Sequence, residues 1–149
     1  MIRDTDAPFP DTAFWRAYGG RFTGLLSWDD ADRFWPVLAA SPEGWFVFDP
    51  SGDAPDRVAS PEEFNAALDE ARASVDQVRD RSYCGAVFTD HRDAPGMVKV
   101  FDPFRMGGVC GGSGGRILPR WVFSRIAPNP LPIRAEPAAR KSFLSRLIG

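Results

Sequence analysis

The residues best suited to chemistry lie in one stretch, Met106-Gly107-Gly108-Val109-Cys110-Gly111-Gly112-Ser113-Gly114-Gly115-Arg116. Six glycines in nine residues free the backbone to curl until successive N–H groups converge on one anion, as they do in phosphate-binding loops. On that reading Gly108, Gly111, Gly112 and Ser113 cradle a phosphate or other anionic group, and Arg116 supplies the counter-charge. Cys110 has small neighbours, and Arg105 and Arg116 favour its thiolate, which makes it the candidate nucleophile. His91, the one histidine of the chain, is the candidate base. The topology works against that pair. His91 lies in the turn after one strand, whereas Cys110 follows the partner strand and leaves the hairpin at the other end, ~20 Å away at ~3.3 Å per residue.

The specific phosphate motifs are also missing. No Gly-Lys-Ser/Thr ends the glycine run, the Gly-x-Gly-x-x-Gly spacing is absent, and a strand rather than a helix N-terminus is expected to follow. A hairpin loop or a loop that touches a partner is the plainer reading of segment 107–116. Cys84 is expected beside the strand end from which this segment departs, so the two cysteines read either as a redox pair or as two unrelated buried thiols. One histidine and two distant cysteines give no metal-ligand spacing, so neither a metal site nor a cofactor is implied. Asp29 and Asp30 suit a helix N-terminus, and Asp32 a solvated position.

The elements that must position these residues follow from periodicity and punctuation. Residues 11 to 18 read as a short helix closed by Gly19-Gly20, and 21 to 26 as a brief strand. Ser27 caps a second helix carrying Ala31, Phe34, Trp35 and Leu38 on one side, which Pro36 should kink or interrupt because it has no N–H to donate. Trp45 to Phe48 is an aromatic strand ending at Asp49-Pro50-Ser51-Gly52. Ser60-Pro61-Glu62-Glu63 is a capping box with proline at the first helical position. The stripe Phe64, Ala67, Leu68, Ala71, Val75 and Val78 carries that helix to about Arg79. Tyr83 to Phe88 reads as a central strand covered on both faces, 97 to 101 as its hairpin partner, and 121 to 126 as the next strand. After Pro128, Pro130 and Pro132, a basic C-terminal helix is expected with Phe143, Leu144, Leu147 and Ile148 as its apolar positions.

The expected fold is therefore α+β: a single domain over 1–149, with a mainly antiparallel sheet of about four strands and helices covering one face. The chain has 149 residues, 44% of them hydrophobic and 26% charged, which suits one globular core. No run of about 20 apolar residues crosses a bilayer. The N-terminus has no apolar stretch of a cleaved signal, and two cysteines are too few for a secreted scaffold, so a soluble cytoplasmic protein is expected.

Charge is uneven along the chain. Residues 1 to 80 hold 16 acidic and 7 basic side chains, and residues 116 to 149 hold 1 and 7. The acidic half suits a partner protein with a basic surface. The basic set with Trp121 and Phe123 could stack on nucleic acid, but the acidic whole, with pI near 5.4, repels a polyanion, and nucleic acid is not the expected partner. Aromatic residues reach 13%, and Trp121, Phe104 and Arg105 are the candidate partner contacts. The leading expectation is a non-catalytic protein-binding module, of the adaptor or toxin-neutralising immunity type. The alternative is a small enzyme or ligand binder that uses the glycine segment for an anion and Cys110 as a reactive thiol.

Overall fold

The computed structural model describes residues 2–4, 7–105 and 116–134. Ten elements among the described residues follow in chain order: β1 (Ile2–Arg3), α1 (Ala13–Tyr18), β2 (Thr23–Gly24), α2 (Trp28–Ala39), β3 (Phe46–Phe48), α3 (Pro61–Asp76), β4 (Val87–Thr89), β5 (Met97–Val100), β6 (Trp121–Ser124) and β7 (Ile133–Arg134). Five strands form one antiparallel sheet in the order β2-β4-β5-β6-β3, and β1 pairs with β7 in a separate two-stranded ribbon. The expected α+β domain with a mainly antiparallel sheet is what forms, with five strands in the main sheet.

Register assigns each strand residue to a face. Val47, Phe123 and Val98 pair across the sheet in one row, and Phe48, Val122, Lys99, Phe88 and Gly24 in the adjacent row. Successive residues of a strand point to opposite sides, so these rows face opposite layers. The first row packs under α2 and α3 in a core that holds Phe34, Trp35, Leu38, Phe64, Leu68, Ala71 and Val75. In the second row Phe48 and Val122 pack with Phe14, Trp15 and Tyr18 of α1 and with Leu131.

Local chemistry explains where the helices start. Ser60 Oγ accepts the N–H of Glu63 at 3.1 Å and the Glu63 carboxylate accepts the N–H of Ser60 at 2.8 Å, so the capping box closes as its residues require. Arg57 holds that carboxylate as well, and the two interactions bring Glu63 down to about 2. Ser27 caps α2 through the N–H of Asp30 at 3.0 Å. Arg79, just past α3, ties the two helices by bonding Asp32 and Asp76 while its guanidinium lies 4.7 Å over the Trp28 ring.

Two expectations need correction. Of the kink or interruption expected at Pro36, the interruption does not occur, since α2 runs on to Ala39. Pro36 lies on the exposed side, where the carbonyl it leaves without a helical donor, that of Asp32, can turn to water. Secondly, the apolar run from Tyr83 becomes a strand only at Val87, and the central strand is β5. Gly85 sits at φ +77°, a left-handed conformation that turns the chain before the ladder begins. Ahead of that turn Arg81, Ser82 and Tyr83 lie exposed outside any strand, while Cys84 is buried. The expected C-terminal helix lies outside the described residues.

Candidate functional site

β5 ends at Val100 opposite Trp121, where β6 begins, so the chain leaves and re-enters the sheet at the same end. Segments 101–105 and 116–120 emerge there together, beside the turn that follows β3. Between them is a cleft of about 620 Å³. Phe104, Ile117, Leu118 and Pro119 give it apolar walls, Arg105, Arg116 and Arg120 contribute cations, and Asp49 and Asp102 contribute carboxylates.

Each carboxylate is engaged by its own turn. Asp49 Oδ1 accepts the N–H and the hydroxyl of Ser51 at 3.0 and 2.7 Å. Asp102 Oδ1 accepts the N–H of Phe104 at 3.0 Å, and the Asp102 carbonyl accepts the N–H of Arg105 at 3.0 Å. The Asx-type turn at Asp102 sets the position of Phe104 and Arg105 by local hydrogen bonding.

The arginines are held differently. The Arg116 guanidinium lies 3.9 Å over the Phe9 ring and donates to the Ala7 carbonyl. That of Arg120 lies 4.9 Å over Trp121, while the Arg120 backbone N–H donates to the Val100 carbonyl. Among the described residues the arginines in ion pairs are Arg3, Arg16, Arg57, Arg72, Arg79 and Arg92, and none of the three in the cleft has a carboxylate partner. A guanidinium packed face-on against a ring keeps its N–H edge for another acceptor.

An apolar surface adjoins the cleft. Leu26, Tyr83 and Phe104, at 58, 60 and 62%, are the three most exposed large hydrophobic residues among those described. Segment 81–84 is bonded to the chain at Leu26 and at Pro103. The Cys84 N–H donates to the Leu26 carbonyl at 2.6 Å, Trp28 Nε1 donates to the Arg81 carbonyl at 2.8 Å, and the Arg81 guanidinium donates to the Pro103 carbonyl while lying 5.8 Å from the Phe104 ring. Phe88 and Phe101, edge to face at 5.6 Å, are half-buried in the same region of the sheet.

Of the residues singled out from sequence, Phe104 and Arg105 stand together at this site. Trp121 is 8% exposed and packs in the core under the helices, so it supports Arg120 more than it offers surface. His91 is exposed in the β4–β5 turn, whose shape is set by Asp90 accepting the N–H groups of His91 and Gly96. Arg116 lines the cleft, while Gly108, Cys110, Gly111, Gly112 and Ser113 lie outside the described residues, as does any pairing of Cys110 with Cys84. Burial pushes the Cys84 thiol up, away from the thiolate. Arg81, Tyr83 and Leu26 were not expected here, because an uninterrupted apolar run conceals the bend at Gly85.

A second polar feature lies on the face of the sheet away from α2 and α3. Lys99 Nζ sits 3.8 Å from the ring centres of both Tyr18 and Phe22 and donates to the Tyr18 carbonyl at 2.8 Å. Burial brings its amine down to about 8 and pushes the Tyr18 hydroxyl up to about 12. Among the described residues no group of three or more His, Cys, Asp or Glu could hold a metal ion, and no helix is long and apolar enough to cross a membrane. No protein-family model, curated protein or solved structure matches the chain.

Proposed function

We propose that this chain is a protein-binding module, adaptor-like or toxin-neutralising in kind, that acts by covering a partner rather than by turning over a substrate. The observation that carries the reading is the exposure of Leu26, Tyr83 and Phe104, the most exposed large hydrophobic residues among those described, on segments that the Cys84 N–H and the Arg81 guanidinium tie together. Isolated exposed apolar residues are ordinary, but a cluster of them marks an interaction site. Tyrosine and arginine are also the residue types that most often dominate binding energy. Asx-turn and backbone anchoring holds Phe104 in place before any partner arrives, which lowers the ordering cost of association.

The test is affinity capture from a native lysate with the wild-type chain and with Phe104→Ala/Tyr83→Ala, both shown to melt at the same temperature. A partner held through this surface should bind the double variant roughly 30-fold more weakly or worse, the consequence of losing about 2 kcal/mol or more at a hot spot. Equal capture of the same partner by both chains would refute the proposal.

A further inference from the structure

We infer that the cleft beside Phe104 receives an acidic segment of the partner, one in which carboxylates alternate with apolar side chains. This rests on the protein-binding reading and specifies what the partner presents. Arg105, Arg116 and Arg120 line one cavity and have no carboxylate partner among the described residues, although Asp49 and Asp102 line the same cavity. Each aspartate accepts through Oδ1 within its own local turn. Arg116 already donates to the Ala7 carbonyl, and the exposed N–H edges of Arg105 and Arg120 are open to a carboxylate of a partner, which meets the N–H fork two bonds at a time. Leu118 and Phe104 give the intervening apolar side chains somewhere to lie. The volume, about 620 Å³, falls within the range of sites that enclose a small ligand or a few residues of peptide.

The two aspartates also argue for carboxylates over a nucleic acid strand. Three cations against two anions leave a small local excess of positive charge, whereas a polynucleotide needs a groove that stays basic along the backbone. A partner chosen by this cleft is therefore acidic. Sequence reasoning pointed to a basic partner, from the acidic first half alone.

Fluorescence anisotropy on the full chain tests the inference. The probes are labelled peptides, Glu-Leu-Glu-Asp-Leu-Glu and its uncharged counterpart Gln-Leu-Gln-Asn-Leu-Gln, and a labelled oligothymidylate. The acidic peptide should bind and weaken with salt, and the neutral one should not. Arg105→Gln and Arg120→Gln should each weaken it about tenfold, and Arg33→Gln, on the exposed side of α2, should change it little. Arg105 sits on an exposed turn, so its variant remains informative even if replacing Arg120 disturbs packing on Trp121. Equal binding of the neutral peptide, an equal loss with Arg33→Gln, or tighter binding of the oligothymidylate with the same arginine dependence would each overturn the inference. If the acidic peptide fails to bind while Phe104→Ala/Tyr83→Ala still abolishes partner capture, the cleft inference falls and protein binding stands. If the peptide binds normally and partner capture is unaffected by the double variant, the Phe104 surface is what fails.

Discussion

Phe64 offers the clearest test of how the helices are fastened to the sheet. It is fully buried, stacked on Trp45 with ring centres 5.5 Å apart at 11°, and meets Phe123 of β6 edge-on at 5.5 Å. One ring thus joins α3, the segment entering β3, and the middle of the sheet. Phe64→Ala removes its burial and leaves a void that fully packed neighbours can close only in part, a loss that ordinarily amounts to about 3–5 kcal/mol. Two oriented ring contacts are lost as well, which places this site at the upper part of that range. Against a total stability of about 5–15 kcal/mol, a loss of about 4 kcal/mol removes a large fraction of the folding free energy. For a chain of this length it lowers the melting temperature by roughly 8–16 °C. Urea unfolding followed by tryptophan fluorescence should show the midpoint falling with the slope unchanged. A loss below about 1 kcal/mol would mean that α3 is not seated on the sheet through this ring, and the layered packing would have to be redrawn.

Three further outcomes follow from named contacts. Ser60→Ala opens the capping box and should cost about 1 kcal/mol in the same urea assay, with faster amide exchange confined to the first turn of α3. Asp90→Ala removes the acceptor for two backbone N–H groups in the β4–β5 turn and should cost about 1–2 kcal/mol, the exchange of His91 and Gly96 rising first. Lys99 gives a pH signature. Its folded amine is brought down to about 8 from an ordinary value of 10.5, so between those limits the unfolded chain holds a proton that the folded chain has released, and stability rises with pH. Tyr18, raised from 10.0 to about 12, opposes that rise above pH 10, so the gain should be clearest between about 8 and 10 and absent in Lys99→Met. A stability curve for the wild type that is flat or falling over that interval would contradict the assignment.

Much of the architecture was readable from punctuation and period. The Ser60 box and the stripe Phe64, Leu68, Ala71 and Val75 specify α3 because cap and buried face agree, and Ser27 with Ala31, Phe34, Trp35 and Leu38 does the same for α2. Pro36 misled because a proline's cost depends on which side of the helix it occupies, and the sequence pattern had to be combined with burial to see that its side was the wet one. Tyr83 misled for a related reason: apolarity alone does not distinguish a buried strand from an exposed aromatic ahead of a left-handed glycine. The site itself was half visible. Phe104 and Arg105 stood out as an aromatic and a cation beside a glycine run, whereas the contribution of Arg81, Tyr83 and Leu26 depends on a backbone bond between residues 58 positions apart, from Cys84 to Leu26. Nothing local in the sequence announces such a contact.

Site-specific photo-crosslinking addresses the central claim most directly. A benzophenone side chain is placed at position 104 in one preparation and at position 69, on the exposed side of α3, in another, and each is irradiated in native lysate. The account predicts a discrete covalent adduct from position 104, lost when Tyr83→Ala is added, and none from position 69. Adducts formed through position 69 alone would show that the exposed side of α3 is the one that meets the partner.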